Sequence, residues 1–169
     1  MNKKTSDNLT DIISLATKAE IDKIGFREKI TEFQNNMRDF EGSVVRKSYK
    51  ENDELDTFNG GKLEHDFGEG TYIRKITMPK GMIYLSAIHL VKHPYFVMSG
   101  ECTVVSDKGL TKIKAPHHGM TEPGTQRILY IDEECVWVTV HPTDKTNVED
   151  VIKDVTSENY NHPKLEIWY

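Results

Sequence analysis

The stretch GMIYLSAIHLVKHPYFVMSG, residues 81–100, decides how the rest of the chain is interpreted. Two apolar runs flank a polar bend that carries His89 and His93, and a glycine stands at each end. This pattern predicts a strand, a short loop and a second strand, with both imidazoles at the bend. A second stretch, EPGTQR at residues 122–127, adds a turn and a basic side chain farther along. Together the two stretches predict a fold and a pocket, but they do not name a reaction.

The composition is that of a soluble globular domain. The chain has 169 residues, which is enough for one domain with its own core. Its 27 acidic and 22 basic residues give a net charge of −5, which argues against a nucleic acid or an anionic membrane as the partner. No apolar run reaches the length of a membrane span, and the N-terminus lacks the apolar core of a signal peptide. Cys102 and Cys135 lie in apolar runs, so we expect buried reduced thiols and a cytoplasmic location.

The central part of the chain is a series of short apolar runs, each followed by a turn. Turns this closely spaced predict an antiparallel sandwich or barrel and not a parallel sheet with crossover helices. The eight predicted strands span residues 71–78, 82–89, 95–98, 101–105, 110–113, 118–121, 127–131 and 135–141.

A helical stripe precedes these strands. Apolar side chains recur at spacings of four, three, four and three between residues 18 and 40, which predicts one face of a helix. The stripe consists of Phe26, Ile30, Phe33, Met37 and Phe40. Two interpretations stay open at this point: the stripe packs on the main domain of its own chain, or it forms a seam with a second copy.

These patterns divide the chain into four parts. Residues 1–41 are a helical extension, residues 42–62 a polar connector, residues 63–145 the barrel, and residues 146–169 a C-terminal helix and tail. The helix is predicted over residues 147–155, with Thr146 or Asn147 as its cap. The chain ends in the apolar sequence LEIWY, which we expect to dock on the domain or on a neighbouring chain.

A family resemblance rests on motifs between residues 63 and 143. The segments that carry it are His65-Asp66-Phe67, Gly70-Thr71-Tyr72-Ile73-Arg74, Pro79-Lys80-Gly81, Ile88-His89, His93-Pro94, Ser99-Gly100-Glu101, Ala115-Pro116, residues 123–127 (PGTQR) and residues 137–143 (WVTVHPT). About half of the chain resembles a small single-domain cupin of the RmlC-like type, similar to uncharacterised cupin-like proteins of bacteria and tailed phages. The resemblance implies a mainly β fold, a double-stranded β-helix or jelly-roll barrel. The residue pattern outside it adds an N-terminal helical extension and a short C-terminal helix and tail.

The resemblance also implies a metal site, from which this sequence departs. When Gly100 is taken as the glycine that ends the first cupin motif, the ligand positions fall on Ala87, His89 and His93. In the second motif, Arg127 stands where the family has a histidine. The family's three-histidine, one-glutamate set is thus reduced to two imidazoles, so a divalent metal (Zn, Fe, Mn or Ni) needs a third ligand. His141 is the predicted third ligand; His118, Glu101 and His65 are the alternatives.

Arg127 supports a different use of the same pocket. A guanidinium repels a cation and pairs well with a carboxylate or a phosphate. We therefore predict ligand-binding roles for Arg127, Tyr130 and Tyr72, with an anionic small molecule as the partner.

Three functional hypotheses follow from the resemblance and the residues. The first is a small-molecule-binding cupin, with or without a divalent metal, whose reaction is unknown. The second is a metal-independent isomerase or epimerase that acts on an anionic sugar or nucleotide, with a histidine base and a tyrosine acid. The third is a non-catalytic phage or bacterial protein that works through association. The sequence does not decide whether the chain is an enzyme. By analogy with cupins we expect a homodimer, in the host cytoplasm if the protein is phage-encoded.

Overall fold

The computed structural model describes residues 3–18, 21–38, 57–58 and 61–166, and within them it leaves out the side chains of residues 3–5, 57–58 and 166. The helices of this part of the chain are α1 (Lys3–Ala16), α2 (Lys23–Arg38), α3 (Val148–Val155) and α4 (Pro163–Glu166). Its strands are β1 (Thr57–Phe58), β2 (Gly61–Gly68), β3 (Thr71–Met78), β4 (Ile83–Leu85), β5 (Ile88–His89), β6 (His93–Ser106), β7 (Gly109–Lys114), β8 (His117–Thr121), β9 (Ile128–Pro142) and β10 (Thr156–Ser157).

Two long strands, β6 and β9, organise the barrel. They pair with each other, and the register shifts between Val97 and Cys102. On its other edge β6 pairs first with β8 and then with β7, while β9 pairs first with β4 and then with β3. One layer therefore runs β2-β3-β9-β6-β8 and the other β4-β9-β6-β7, all antiparallel. This jelly-roll arrangement confirms the predicted mainly β, cupin-type fold.

The strand boundaries correct several expectations. Residues 95–98 and 101–105 belong to one strand, β6, and residues 127–131 and 135–141 fall largely within one strand, β9. The predicted strand 82–89 divides into β4, which pairs with β9, and β5, which pairs with β10. The sequence pattern does not predict the strand β2, which begins inside the predicted connector. Most of that connector lies outside the described residues.

The inward side chains of both layers meet in one apolar core. Its buried members include Leu63, Ile76, Val97, Val104, Leu129, Ile131 and Trp137. Cys102 and Cys135 are also buried here and are both free thiols, as the sequence predicts. Ile76, Leu129 and Trp137 of this core also line a cavity.

The helices α1 and α2 cover one side of the barrel. Phe26, Ile30 and Phe33 of α2 are fully buried, in a cluster that also contains Ile12 and Ala16 of α1 and Val105 and Ile128 of the barrel. The stripe therefore packs within its own chain. The helix begins at Lys23 because Asp22 caps it: the Gly25 backbone N–H donates to Asp22 Oδ1 at 3.0 Å. Phe40, the last residue of the predicted stripe, lies outside the described residues.

The helix α3 covers the opposite side, above His89. Its cap is Asn147, whose Oδ1 accepts from the Asp150 backbone N–H at 2.9 Å. The strand β10 follows directly and pairs with β5, and the Leu90 N–H donates to the Val155 carbonyl at 2.8 Å. Leu165 docks beside Ile88, and the last three residues of the LEIWY ending lie outside the described chain. No helix in the described ranges is long and apolar enough to cross a membrane.

Candidate functional site

A cavity of about 140 Å³ lies between the two layers and under α3. Its polar wall comes from β3, β5, β9, the loop before β9 and the start of β10. The polar lining residues are Arg74, Ser86, His89, Arg127, Thr139, His141 and Thr156. The other lining residues are mainly apolar, although Tyr84 carries a hydroxyl and Trp137 an indole N–H: Ile76, Met78, Tyr84, Leu85, Ala87, Leu129, Trp137, Ile152 and Val155. None of the described residues that line the cavity is an acid.

The cavity changes from apolar to polar along its length. The β3–β9 register sets Ile76 beside Trp137, then Arg74 beside Thr139. Tyr72 and His141 form the next pair on the same faces of the two strands. Because both strands become polar in the same direction, the apolar groups gather at one end and the arginine and imidazole groups at the other.

Three imidazoles pack together at the polar end. The ring centroids of His89 and His93 are 4.8 Å apart, and those of His93 and His141 are 4.1 Å apart. His93 and His141 are buried, and His93 Nδ1 lies 3.0 Å from the Val91 carbonyl oxygen, to which it donates. The structure thus brings together the three histidines that the sequence predicts as metal ligands, and it shows that His141 faces inward with Trp137 and Thr139.

Several polar atoms of this group lack hydrogen-bond partners within the described part of the chain. They are His89 Nδ1, His93 Nε2, His141 Nδ1 and Thr139 Oγ1, each buried. Buried polar atoms without partners are uncommon in folded proteins. His89, His141 and Thr139 line the cavity, but these particular atoms are enclosed by protein and are not open to it.

Burial keeps the imidazoles neutral. It lowers the pKa of His93 to about 4 and, together with the nearby His93 and Arg74, lowers the pKa of His141 to about 3. Burial and the charges of His93 and Arg127 likewise hold the pKa of His89 well below its usual value. At neutral pH these rings can therefore donate or accept a hydrogen bond without adding positive charge.

Arg127 is held at the cavity wall by its surroundings. Its backbone N–H donates to Ser86 Oγ, and the Ser86 N–H donates to its carbonyl, both at 2.9 Å. The guanidinium Nη2 donates to Thr121 Oγ1 at 2.9 Å and lies 5.4 Å from the centre of the Tyr95 ring. No described carboxylate lies within ion-pair distance of it. Arg127 is thus a fixed, partly buried cation without a carboxylate at ion-pair distance among the described residues.

Sequence reasoning misses one residue of this site and misplaces another. Arg74 lines the cavity, and its alternation with Tyr72 and Ile76 on β3 would have shown that it faces inward. The sequence pattern places His65 before the first strand, but it lies within β2, and its Nδ1 is 2.7 Å from the hydroxyl of Tyr72. If residues 69–70 are interpreted as a hairpin turn, β2 is expected beside β3, and the contact between His65 and Tyr72 can be predicted.

The predicted ligand-binding tyrosines lie in different places. Tyr72 is fully buried, and its ring centroid is 6.0 Å from that of His141, behind the cavity wall. Tyr130 is 46 % exposed, between the buried Leu129 and Ile131. Because side chains alternate along a strand, its side chain points out of the barrel. The structure therefore brings Tyr72 to the site but not Tyr130.

The described residues do not fit a preformed metal centre. No three His, Cys, Asp or Glu side chains in the described ranges are arranged to hold a metal ion. The histidine rings would have to turn to direct three nitrogens at one point. Arg74 and Arg127 also place two positive charges at the same cavity, which opposes binding of a divalent cation. The divalent metal therefore stays a prediction for metal analysis to decide.

No protein-family model matches the chain, and no curated protein does either. Among solved structures it is similar to a cupin 2 conserved barrel domain protein from Salinispora arenicola, with 13 % identity, a TM-score of 0.45 and coverage of 60 % of this chain and 91 % of that one. An RmlC-like cupin family protein from Methanocaldococcus jannaschii has 14 % identity, a TM-score of 0.42 and coverage of 59 % and 92 %. A cupin-2 domain protein from Shewanella frigidimarina has 11 % identity, a TM-score of 0.41 and coverage of 48 % and 80 %. None of these likenesses bears on what the chain binds or catalyses.

Proposed function

We propose that this chain is a cupin-type binding protein whose barrel cavity takes a small anionic molecule. The observation that carries the proposal is Arg127, a partly buried guanidinium on the cavity wall without a carboxylate within ion-pair distance among the described residues. Arg74 adds a second positive charge to the same wall. A cation partly shielded from water interacts more strongly with an anion than an exposed one does, and a guanidinium offers paired donors that match a carboxylate or a phosphate.

The neutral histidines suit this role. His89 and His141 border the cavity, and a neutral imidazole has one nitrogen that donates and one that accepts a hydrogen bond. Since burial keeps the pKa of both rings low, they do not add to the repulsion between Arg74 and Arg127. A bound anion would favour their protonated forms, so binding is expected to strengthen as the pH falls toward 5.

Binding is favoured over epimerase chemistry because the described lining residues include no acid that could orient a histidine base. The tyrosines do not separate the two hypotheses: Tyr72 is engaged with His65 and Tyr130 lies on the outside, but the buried Tyr84 lines the cavity. The third hypothesis, association through the N-terminal helices, is weakened because their apolar stripe is buried against the barrel.

The test is calorimetric titration of the full chain with acetate and with inorganic phosphate. Removal of the Arg127 charge in Arg127→Gln should weaken binding by about 10- to 100-fold, because a charged hydrogen bond contributes about 1.5–3 kcal/mol. Arg127→Lys keeps the charge and should recover part of the affinity. Arg38→Gln is the matched control, since Arg38 is exposed and pairs with Glu158 at 3.2 Å.

Metal analysis of the same preparations separates the two uses of the pocket. Stoichiometric metal in the wild type that disappears in His89→Gln, together with anion binding that is lost after chelation, would replace the proposal with the metal hypothesis. Equal anion affinity in the wild type and Arg127→Gln would also refute it.

A further inference from the structure

The shape and polarity of the cavity restrict its ligand further. The volume of about 140 Å³ is close to that of apolar protein cavities of about 150 Å³ that take up benzene. A nucleotide, with its base, sugar and phosphate, is much larger than this space. Resting on the proposed anion site, we infer that the ligand is a carboxylate carried on one apolar ring or branched chain of about benzene size.

The apolar end of the cavity selects the ring. Ile76, Met78 and Leu129 offer no hydrogen-bonding group, and Trp137 stacks on Tyr95 with ring centroids 4.6 Å apart. A sugar in this position would bury several hydroxyls where Tyr84 and Trp137 carry the only polar groups among the described side chains of this end, and buried hydroxyls without partners are unfavourable. A hydrocarbon ring there would instead remove apolar surface from water on both sides.

The helix α3 covers the polar end of the cavity, where it packs on Tyr72. Ile152 and Val155 line the cavity there, and Thr156 of the adjoining β10 pairs with His89. The ring therefore lies between β3 and β9, and α3 covers the end that binds the carboxylate.

The polar end of the cavity binds the carboxylate of the ligand. Arg127, Arg74 and His89 line the cavity where β3 and β9 become polar. A six-membered ring fills most of the volume, so the remaining space suits a planar carboxylate better than a tetrahedral phosphate. A guanidinium also binds a carboxylate through two parallel hydrogen bonds.

The experiment compares four probes by calorimetry on the full chain: benzoate, acetate, benzyl alcohol and uridine monophosphate. Benzoate has both ring and charge, and we expect it to bind at least about tenfold more tightly than acetate or benzyl alcohol, each of which lacks one part. Uridine monophosphate should bind more weakly than benzoate.

A variant of α3 tests whether the ring occupies this cavity. Ile152→Trp fills part of the cavity beneath α3 and should weaken benzoate binding by about tenfold or more. Lys153→Trp, the same substitution at the neighbouring exposed position, is the matched control and should bind benzoate like the wild type. Thermal unfolding of both variants shows whether they are folded.

The outcomes separate this inference from the proposed function. If acetate and phosphate bind in an Arg127-dependent way but benzoate binds no more tightly than acetate, the inference is wrong and the anion site stands. Tighter binding of uridine monophosphate than of benzoate, or unchanged benzoate binding in Ile152→Trp, also overturns it. If no anion binds the wild type, both proposals fail.

Discussion

At the scale of the residue, Gly100 determines where the strand β6 bends. Its φ is +82°, a conformation that side chains disfavour, and a Cβ there would overlap the carbonyl oxygen of Glu134 on the neighbouring β9. The close approach occurs where the pairing of β6 and β9 shifts register. A residue without a side chain is therefore required for the two layers to share both strands.

Gly100→Ala should prevent or severely weaken folding. Gly81 has the same φ of +82°, but a Cβ at that position would meet no atom within 4 Å beyond its chain neighbours, so it isolates the backbone cost. We expect Gly81→Ala to lower the free energy of unfolding by about 1–2 kcal/mol and Gly100→Ala by about 4 kcal/mol or more. Urea denaturation measures both. Equal losses in the two variants would show that the contact with Glu134 is unimportant.

The candidate site was predictable only where a motif or a local pattern marks the residue. The bend in residues 81–100 identified His89 and His93, and the turn at residues 122–127 identified Arg127. Which face of β9 is inward depends on its pairing with β3, so His141 could be proposed but not placed. Arg74 was not identified and His65 was only an alternative metal ligand, because their contacts come from the arrangement of strands in space.

At the scale of the element, the sequence predicted the α2 helix but not the surface on which it packs. Its spacing of apolar residues predicted a helix with one apolar face, and Phe26, Ile30 and Phe33 are the buried residues of that face. The spacing did not identify the partner, because periodicity describes a face and not what covers it. The predicted strand boundaries were wrong for another reason. Residues 99–100 and 132–134 have sequences typical of turns, but they lie within the bends of β6 and β9.

Two substitutions on α2 test whether this helix is part of the barrel's own fold. Phe26→Ala should lower the free energy of unfolding by about 3–5 kcal/mol, because Phe26 is fully buried against α1 and the barrel. Ile24→Ala, two residues away and 71 % exposed, should change it by less than about 0.5 kcal/mol. Urea unfolding should show one transition. A separate early transition that Phe26→Ala alone removes would mean that the helices unfold independently.

At the scale of the whole molecule, the barrel is covered on two sides by segments outside its sheets. The α1–α2 pair covers Val105 and Ile128, and α3 covers the cavity. The resemblance seen in the sequence concerns about half of the chain, but this packing makes the helices part of the same structure. The homodimer and the cytoplasmic location stay predictions, and light scattering in solution decides the first.

The buried histidines should make the metal-free molecule sensitive to acid. In the unfolded chain His93 and His141 take up protons below a pKa of about 6.5, whereas in the folded chain the pKa values are about 4 and 3. The unfolded state thus binds more protons between these values. Stability is complete above about pH 7 and falls as the pH drops through 6.5 toward 4. Arg74, Arg127 and His89 face the two rings and oppose protonation in the folded state.

The size of this effect can be tested by urea unfolding of chelator-treated protein at pH 7.5 and pH 5. His93 and His141 should each cost about 2 kcal/mol at pH 5, and His89, whose pKa is also lowered, adds to the loss of the wild type. His93→Gln and His141→Gln should each reduce the loss by about 2 kcal/mol, while His118→Gln, at an exposed position, should leave it unchanged. Glu64 and Glu122 do not account for a loss of stability between pH 7.5 and pH 5, because their ion pairs hold the carboxyl pKa values below 4.5. A loss of the same size in the His93→Gln/His141→Gln double variant would show that other groups set the acid sensitivity.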